Sequence, residues 1–328
     1  MRYMIGVDGG ATGTIAVLAD EEGKVLHVAQ ASASNYIAVG EESAGQALRQ
    51  VIQGLVTDNG HHLEDCIAAT FGLAGLNNET NHRIFQGLID PIGLGGTVHV
   101  ENDIVIAWAA ATACKPGVVV IAGTGSSAFG VNANGTRIKS LGWDYILADQ
   151  GSGYWIGLQG IRAAIKAWDG RIDETPLVDY MVQHYQLEKA EDMLSYAYTP
   201  EFEKPQIASF SKYVSMSAEQ GDVAAIEILK QAGDELGQAV CAVIKRLGIA
   251  GEDFTVGLIG GAFRSGEHLT DSFNAQVLGL APKATIEPAR YPPVIGAVIY
   301  SHYQNGTLTD EIVNRLAETG VGALRFKS

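Results

Sequence analysis

The sequence has few cysteines and no long hydrophobic run. Its three cysteines, Cys66, Cys114 and Cys241, are far apart, so neither a metal site built on a C-x-x-C pair nor a disulfide framework is predicted. No stretch approaches the ~18 uninterrupted apolar residues of a membrane-spanning helix. The initial apolar run is short and Asp8 interrupts it, so we expect no signal peptide, no membrane partner and a cytoplasmic protein.

Positive charge is also scarce. Lys and Arg number 22 against 37 Asp and Glu, which gives a net charge of −15. A nucleic-acid partner is not expected, because such partners need a basic surface. An anionic small molecule can still bind where backbone N–H groups, a metal ion or a local cation receive it. Glycine, in contrast, is abundant at 40 of 328 residues, and the glycines follow strand-like runs, which indicates turns.

A strand, a glycine-rich turn and a second strand occur twice along the chain. The first copy reads YMIGV-DGGATG-TIAVLA over residues 3–19, and the second reads VVVIA-GTGSS-AFGV over residues 118–131. Such a repeat predicts two similar halves. The remainder of each half alternates helix-like and strand-like patterns, so the predicted fold class is α/β.

The second turn also matches the dinucleotide fingerprint G-x-G-x-x-G/A, from Gly123 to Ala128. That fingerprint needs a helix directly after the glycines, because the helix N-terminus holds the pyrophosphate. Asn134-Gly135, a strong hairpin signal, follows too soon for a helix. Each turn could instead be a tight hairpin without a ligand. Two such turns at matching places favour one phosphate site lined by backbone N–H groups.

Several motifs in the same order resemble those of one protein family. They comprise two phosphate loops, an adenosine loop and four further segments, at residues 8–14, 123–126, 260–262, 32–40, 101–107, 142–157 and 218–237. From Gly6 to about Tyr300, the chain resembles the BadF/BadG ATPase-like group of the sugar-kinase, heat-shock-ATPase and actin superfamily. Within that group it is most similar to the N-acetylglucosamine kinase family.

The resemblance implies a duplicated ribonuclease H-like (actin-like ATPase) fold with two domains and a central cleft. We expect residues 1–115, joined by C-terminal helices at about 300–328, to form one domain and residues 116–299, with helical insertions, to form the other. The run 292–303 is expected to pack back on the first half. The resemblance also implies a homodimer.

The implied activity is ATP- and Mg²⁺-dependent phosphorylation of an amino sugar at O6, with N-acetylglucosamine as the first choice. Glucosamine, N-acetylmuramic acid and glucose remain alternatives, as does an activator-type ATPase of the same group. Such activators place cysteines for a shared iron–sulfur cluster, and the isolated cysteines argue against that role. A sugar-responsive regulator usually adds a DNA-binding helix pair before the first phosphate loop, and because this sequence reaches Asp8 at once, we do not expect that role.

Two aspartates are the candidates for the chemistry. Asp103 stands where a strand ends and a helix begins, the usual place for substrate groups in α/β sheets. The resemblance implies that it takes the proton from the sugar 6-hydroxyl, and a helix N-cap is the alternative role. Asp8 ends the first strand. It is implied to hold Mg²⁺ through water, and the alternative is an aspartate that only initiates a turn.

The resemblance also implies two sets of binding residues, for which plain turn or core positions are the alternatives. The implied nucleotide contacts are Gly9, Gly10, Thr12, Thr14, Gly123, Thr124, Gly125, Ala208, Gly260 and Gly261. The implied sugar contacts are Asn35, Gly75, Asp103, Ser126, Ser127, Trp143 and Asp149.

The sequence departs from the family pattern at two places. The first loop commonly has Gly and Lys where Ala11 and Gly13 stand, so Mg²⁺ and the backbone must carry more of the phosphate charge. Farther on, the family has Gly-Trp-Gly where residues 142–144 read Gly-Trp-Asp. It has Gly-Asp-Glu where residues 148–150 read Ala-Asp-Gln. These changes leave the choice of sugar open.

Overall fold

The computed structural model describes residues 1–325, with side chains described for residues 1–320. The chain packs as two units: Met1–Lys115 together with the chain from Pro288 onward, and Pro116–Glu287. The chain thus returns to the first unit at Pro288, earlier than the predicted position near residue 300. The cleft between two domains stays a prediction.

Five strands form the sheet of the first unit: β1 (Tyr3–Gly9), β2 (Thr14–Asp20), β3 (Val25–Ala31), β4 (Cys66–Leu73) and β5 (Thr97–Asn102). Their order in the sheet is β3-β2-β1-β4-β5. The first three strands form an antiparallel meander, whereas β4 runs parallel to β1 and β5 parallel to β4. The carboxyl ends of β1, β4 and β5 therefore lie at one edge of this sheet.

The second unit repeats this arrangement. Its strands are β6 (Gly117–Ala122), β7 (Ser126–Val131), β8 (Arg137–Leu141), β9 (Thr255–Ile259) and β10 (Thr285–Pro288). Their order is β10-β9-β6-β7-β8, with β7 antiparallel to β6 and β8, and β9 parallel to β6. The α/β class and the duplication are thus confirmed. The second glycine turn is followed by the strand β7. A dinucleotide fingerprint would need a helix there, so this interpretation does not apply.

The helices of residues 1–325 are α1 (Tyr36–Val39), α2 (Glu41–Leu55), α3 (Glu79–Ile89), α4 (Asp103–Thr112), α5 (Gly153–Trp168), α6 (Leu177–His184), α7 (Met193–Tyr196), α8 (Lys204–Ser209), α9 (Ser211–Glu219), α10 (Val223–Leu247), α11 (Glu267–Leu280), α12 (Pro293–Gln304) and α13 (Asp310–Arg325). In α2, Ala44, Leu48, Val51, Ile52 and Leu55 recur at helical spacing and are all buried. The helices α5 to α10 form the insertion between β8 and β9.

Two helices that are buried almost all round complete the core of the first unit. One is α4, and the other is α12 from the far end of the chain. They meet at Gly296, where a Cβ atom would lie 2.1 Å from the carbonyl oxygen of Ile106. On β1, a Cβ atom at Gly6 would lie 2.5 Å from the carbonyl oxygen of Val294. The expectation that the run 292–303 packs back on the first half is confirmed.

The core of the second unit surrounds the long helix α10. Asp222 caps its start by accepting a hydrogen bond from the Ala225 N–H, and Gly248, at φ 73°, ends it. Its partner helix α11 approaches closely at Gly233, where a Cβ atom would lie 2.2 Å from the carbonyl oxygen of Leu269. Helices α10 and α11 are therefore packed closely against each other.

Candidate active site

The first glycine turn joins β1 to β2 and exposes its tip. The Gly10 N–H donates to the carbonyl oxygen of Gly13 at 2.9 Å, while Ala11 and Thr12 at the tip are exposed. Gly9 must be glycine, because a Cβ atom there would lie 2.3 Å from Ser34 Oγ. The turn therefore presents backbone and the Thr12 hydroxyl to solvent, with no basic side chain of its own.

Thr14 has a different environment from Thr12. Its side chain is buried, and its hydroxyl donates to the carbonyl oxygen of Ser32 at 2.8 Å and shares a hydrogen bond of 2.9 Å with Ser34 Oγ. The N–H groups of Ser34 and Asn35 in turn donate to the Gly10 carbonyl oxygen. Thr14 thus holds the turn in place, and Thr12 is the threonine that faces outward.

Asp8 and Asp103 interact at the carboxyl ends of β1 and β5. Burial, together with the negative charge of Asp103, raises the pKa of Asp8 from 3.8 to about 7. The N-cap of α4 is Asn102, whose Oδ1 accepts from the Ile104 N–H at 3.1 Å and whose Nδ2 donates to the Leu76 carbonyl oxygen at 2.9 Å. The capping role that competed for Asp103 therefore belongs to its neighbour.

This pair of carboxylates fits a divalent cation. Two anionic groups that repel each other in a partly buried place are relieved by a positive charge between them or beside them. Mg²⁺ commonly uses one or two protein carboxylates and keeps several waters. Residues 1–320 contain no group of three or more Asp, Glu, His or Cys side chains arranged as a metal cage. The donor set suits Mg²⁺ shared with phosphate oxygens and water.

Two predicted sugar contacts lie side by side near this edge. Asn35 caps α1, its Oδ1 accepting from the Ile37 N–H at 3.1 Å. Gly75 has φ 92°, and a Cβ atom there would lie 2.7 Å from Asn35 Oδ1. The preceding Ala74 N–H donates to the Gly9 carbonyl oxygen at 2.8 Å, which ties this segment to the first turn. The first unit therefore brings the side chain of Asn35 next to the backbone of Gly75.

The second glycine turn packs against the start of α5. The Gly123 N–H donates to the Gly125 carbonyl oxygen at 2.9 Å, and Thr124 is exposed at the tip. The N–H groups of Gly153 and Tyr154 donate to the carbonyl oxygens of Gly123 and Thr124 at 2.7 and 3.3 Å. Helix α5 thereby fixes this turn, as Ser34 and Asn35 fix the first.

A pocket of about 500 Å³ adjoins the second turn. It is open to solvent and brings together four of the predicted nucleotide contacts: Gly123, Thr124, Ala208 and Gly261. Gly125 and Gly260 do not line it. Gly260, at φ 111°, supports it from behind, since a Cβ atom there would lie 2.3 Å from the Ala122 carbonyl oxygen.

The pocket also contains two cationic residues that the sequence analysis did not single out. Lys212 and Arg264 are among its lining residues, together with the hydroxyl-bearing Ser211 and Ser265. The ammonium of Lys212 lies 4.7 Å from the centre of the Tyr213 ring. Lys212 and Arg264 lie on a helix and a 3₁₀ turn of ordinary composition, so the sequence offered no motif for them.

Asp149 is the most buried of the predicted sugar contacts in the second unit. It is 3% exposed and accepts a hydrogen bond of 3.2 Å from the Ser126 N–H. The Ser126 hydroxyl donates to the Gln150 carbonyl oxygen at 2.8 Å, so it holds the loop. The buried Ser127 hydroxyl, by contrast, has no hydrogen-bond partner among the residues whose side chains are described.

Lys204 at the start of α8 pairs with Asp149, and sequence reasoning missed it. Its Nζ lies 2.8 Å from Asp149 and 2.9 Å from Asp144. Burial opposes the charge on Lys204, but the hydrogen bonds to Asp149 and Asp144 outweigh burial and raise its pKa. Burial likewise opposes the charge on Asp144, and hydrogen bonds from Lys204 and the Tyr145 N–H lower the pKa of Asp144. The contacts therefore favour the charged forms of Lys204 and Asp144.

Trp143 lies on the surface of the second unit. Its residue is 71% exposed, so the alternative of a core aromatic is wrong. Ile146 and Leu147 nearby are also largely exposed. An exposed aromatic ring of this kind can cover the apolar face of a ligand.

Comparison with known proteins identifies the protein family. The sequence profile of the BadF/BadG/BcrA/BcrD ATPase family matches residues 5–301, and the chain belongs to this family. No helix described in residues 1–325 has both the length and the apolar character to cross a membrane.

Curated relatives are sugar kinases. An N-acetylmuramic acid/N-acetylglucosamine kinase of Clostridium acetobutylicum is 32% identical over 299 residues, which cover 91% of this chain and 98% of the relative. An N-acetyl-D-glucosamine kinase of Dictyostelium discoideum is 31% identical over 310 residues, covering 91% and 97%.

A solved structure supports the fold. A protein of Chromobacterium violaceum assigned as an N-acetylglucosamine kinase aligns with a TM-score of 0.72 and 24% identity, over 91% of this chain and 98% of that one. With the two sheets of equal strand order, this similarity confirms the predicted duplicated ribonuclease H-like fold.

Proposed function

We propose that this ATP-dependent sugar kinase transfers the γ-phosphoryl group of ATP to O6 of an amino sugar, with N-acetylglucosamine as the first choice. The observation that carries the proposal is the Asp8–Asp103 pair beside the first glycine turn. Phosphoryl transfer needs an acceptor for the hydroxyl proton and a cation for the phosphate charge, and these two carboxylates suit those two roles. The names of the relatives support the class of substrate.

Asp103 is proposed as the base. It would accept the proton of the sugar 6-hydroxyl as that oxygen attacks phosphorus, and Asn102 leaves it this role by capping α4. Asp8 would hold Mg²⁺ through water, and the bound Mg²⁺ would neutralise charge on the transferring phosphate. Gly9, Gly10 and Thr12 would offer donors to phosphate oxygens at the first turn.

The second unit is proposed to hold the nucleoside end of ATP. Its pocket joins the exposed Thr124 at the second turn to Ala208 and Gly261. The backbone of Gly123 and Thr124 would contact the phosphates. The ribose or adenine would lie against Gly261 and Ala208, where no long side chain intervenes.

The remaining assignments concern the sugar. Asn35, Asp149 and the unpartnered Ser127 hydroxyl would bind sugar hydroxyl or acetamide groups. Gly75 would admit the sugar close to the backbone, and Trp143 would cover its ring. Glucosamine, N-acetylmuramic acid and glucose are the competing substrates. We further propose that the protein is cytoplasmic and forms a homodimer, and light scattering of the purified protein tests the homodimer.

The experiment is an ADP-release assay over these four sugars, with a 6-deoxy analogue of the best one. The proposal predicts the highest kcat/KM for N-acetylglucosamine and no turnover of the 6-deoxy sugar, because that analogue lacks the accepting oxygen. Turnover of the 6-deoxy analogue would move the reaction away from O6. Equal ADP release with and without sugar would indicate an ATPase and overturn the kinase assignment.

A further inference from the structure

The loop between β8 and α5 has an unusual backbone. Leu141, Asp144 and Asp149 have φ angles of 60°, 69° and 63°, in the left-handed region that non-glycine residues seldom adopt. Gly142 and Gly151, at φ 70° and 74°, adopt the same region. Non-glycine residues persist there only where surrounding contacts hold them. The 141–151 loop therefore depends on contacts from outside itself.

Lys204 supplies such contacts to two of the three left-handed residues. Its ammonium lies 2.8 Å from Asp149 Oδ2 and 2.9 Å from Asp144 Oδ1, and 5.2 Å from the centre of the Tyr145 ring. The side chain of Asp149 is 5% exposed, so its charge has little water to stabilise it. Removing the ammonium would leave a buried carboxylate uncompensated, which is strongly unfavourable.

The helix that begins with Lys204 also lines the nucleotide pocket. Pro205, Ala208 and Ser209 of α8 all contribute to that pocket. Helix α8 lies tightly against α5, since a Cβ atom at Gly157 would lie 2.0 Å from the Ile207 carbonyl oxygen. One side chain at one end of this short helix thus binds the loop, while other residues of the helix face the nucleotide site.

Asp149 connects Lys204 to the second glycine turn. Its second carboxylate oxygen accepts from the N–H of Ser126, the residue directly after the second glycine turn. A Cβ atom at Gly125 would lie 2.7 Å from the Asp149 carboxylate, so the turn and the carboxylate are in close contact. The Lys204–Asp149 ion pair therefore links the phosphate turn, the 141–151 loop and the helix of the nucleotide pocket.

We propose that Lys204 is a positioning residue that couples nucleotide binding to the ordering of the 141–151 loop, and through it to sugar binding. A nucleotide in the pocket restrains α8, which fixes Lys204, and Lys204 fixes Asp149 in its strained, sugar-accepting position. The sugar half of this inference rests on the proposed function, whereas the ordering of the loop does not. Because coupling is reciprocal, sugar must tighten nucleotide binding by the same factor.

The first test measures sugar affinity by titration calorimetry with and without a non-hydrolysable ATP analogue. In the unaltered protein, the analogue tightens N-acetylglucosamine binding by a factor in the usual range of coupling, roughly 5- to 150-fold. Lys204→Met keeps the aliphatic stem but removes the charge, and is expected to bring the factor close to one. Lys204→Arg retains the charge and is expected to recover part of the coupling. Lys230→Met, at an exposed position on α10, is the matched control.

The second test uses hydrogen exchange with the ATP analogue alone, so it does not depend on which sugar binds. We expect the analogue to protect the amides of 141–151 in the unaltered protein and in Lys230→Met, but not in Lys204→Met that still binds the analogue. Equal protection in Lys204→Met, or no protection in the unaltered protein, overturns the proposal. Protection without phosphorylation of any sugar would overturn the proposed function and leave this coupling standing.

Discussion

The two glycine turns occupy the same place in the two sheets, but the residues in front of them differ in charge. Asp8 stands one position before the last paired residue of β1, and Ile121 stands at that position of β6. The strands at the corresponding edges of the two sheets also differ, because β5 leads into Asp103 whereas β10 leads into a segment with two prolines, Pro292 and Pro293. The two turns thus have a similar backbone, whereas an aspartate stands one position before the last paired residue of the first strand only in the first unit.

Cationic residues show the opposite distribution. The first turn has no lysine or arginine, whereas the pocket beside the second turn is lined by Lys212 and Arg264 and its neighbouring loop is held by Lys204. The comparison supports the proposed division of roles, in which the aspartates of the first unit serve the proton and the metal ion and the second unit provides a pocket with cationic residues. The following changes test that division.

The largest effect is expected from Asp103→Asn. Loss of a general base typically lowers turnover by about 10²–10⁴-fold. Because Asp103 is not among the proposed nucleotide contacts, the affinity for an ATP analogue is expected to stay within about twofold of the unaltered value, a change of about 0.4 kcal/mol. Steady-state kinetics and calorimetry measure the two quantities, with exposed Asp58→Asn as control. Normal turnover in Asp103→Asn would remove it from the chemistry.

Asp8→Asn is expected to change how stability depends on pH. The folded-state pKa of Asp8, about 7, lies above its ordinary value of 3.8, so folding favours the protonated form. Stability is therefore highest at low pH and is lost as pH rises toward 7. At 1.36 kcal/mol per pKa unit, the loss between pH 5 and pH 8 is about 3 kcal/mol.

Asp8→Asn removes that titration. The unaltered protein is expected to lose about 3 kcal/mol of unfolding free energy between pH 5 and pH 8 through this titration, whereas the variant is not. The difference in unfolding free energy between variant and unaltered protein therefore increases by that amount. Denaturant unfolding in metal-free buffer at both pH values measures the difference, and activity at pH 8 is expected to be lost. Parallel pH dependence in the two proteins would show that Asp8 is ionised without penalty and would contradict the carboxylate pair.

Gly260→Ala tests whether Gly260 supports the pocket of the second unit. The residue has φ 111°, and an added Cβ atom would lie 2.3 Å from the Ala122 carbonyl oxygen, so the strand that leads into the second turn must shift. A cost of ~2–4 kcal/mol in unfolding free energy and a raised KM for ATP are expected. Gly279→Ala, on α11 with open space around it, is the control and should lose no stability. Equal behaviour of both variants would contradict the role of Gly260 behind the pocket.

The smallest effect is expected from Gly13→Lys, which adds to the first turn the charge it lacks. A Cβ atom at Gly13 has room, its nearest neighbour being the Ala31 carbonyl oxygen at 3.6 Å. An exposed cation near phosphate contributes up to ~1 kcal/mol, which lowers the KM for ATP by roughly two- to fivefold. Gly13→Gln separates charge from size. An unchanged KM in Gly13→Lys would show that the first turn does not approach the phosphates.

The duplicated architecture was predictable because an apolar strand followed by a glycine turn gives a local sequence pattern, and this pattern occurs twice. The positions of Asp8 and Asp103 could be identified for a similar reason, since Asp8 lies at the end of β1 and Asp103 directly follows β5, while their roles stay predictions. The identity of the cap on α4 was not, because Asn102 and Asp103 are equally good capping residues and only the backbone decides between them. The exposure of Trp143 was not predictable either, because it depends on how the whole second unit packs.

Lys204 could not be predicted at all. It lies in a helical insertion far along the chain from Asp144 and Asp149, and a lysine before a proline has no sequence signature of a carboxylate partner. Lys212 and Arg264 are brought to one pocket by the folding of the whole second unit. Local patterns identify turns and strand ends, whereas contacts between distant segments depend on tertiary packing.

Helix α12 has a consequence for the order in which the protein forms during synthesis. The second unit is one continuous stretch of chain, but the first unit needs α12, which covers Gly6 on β1 and packs against α4. Until the ribosome has released the residues after Pro288, the sheet that carries Asp8 has an open apolar face. The stretch that forms the pocket beside the second turn is therefore synthesised completely before the first unit is, and a chain truncated near residue 290 would have an uncovered first sheet.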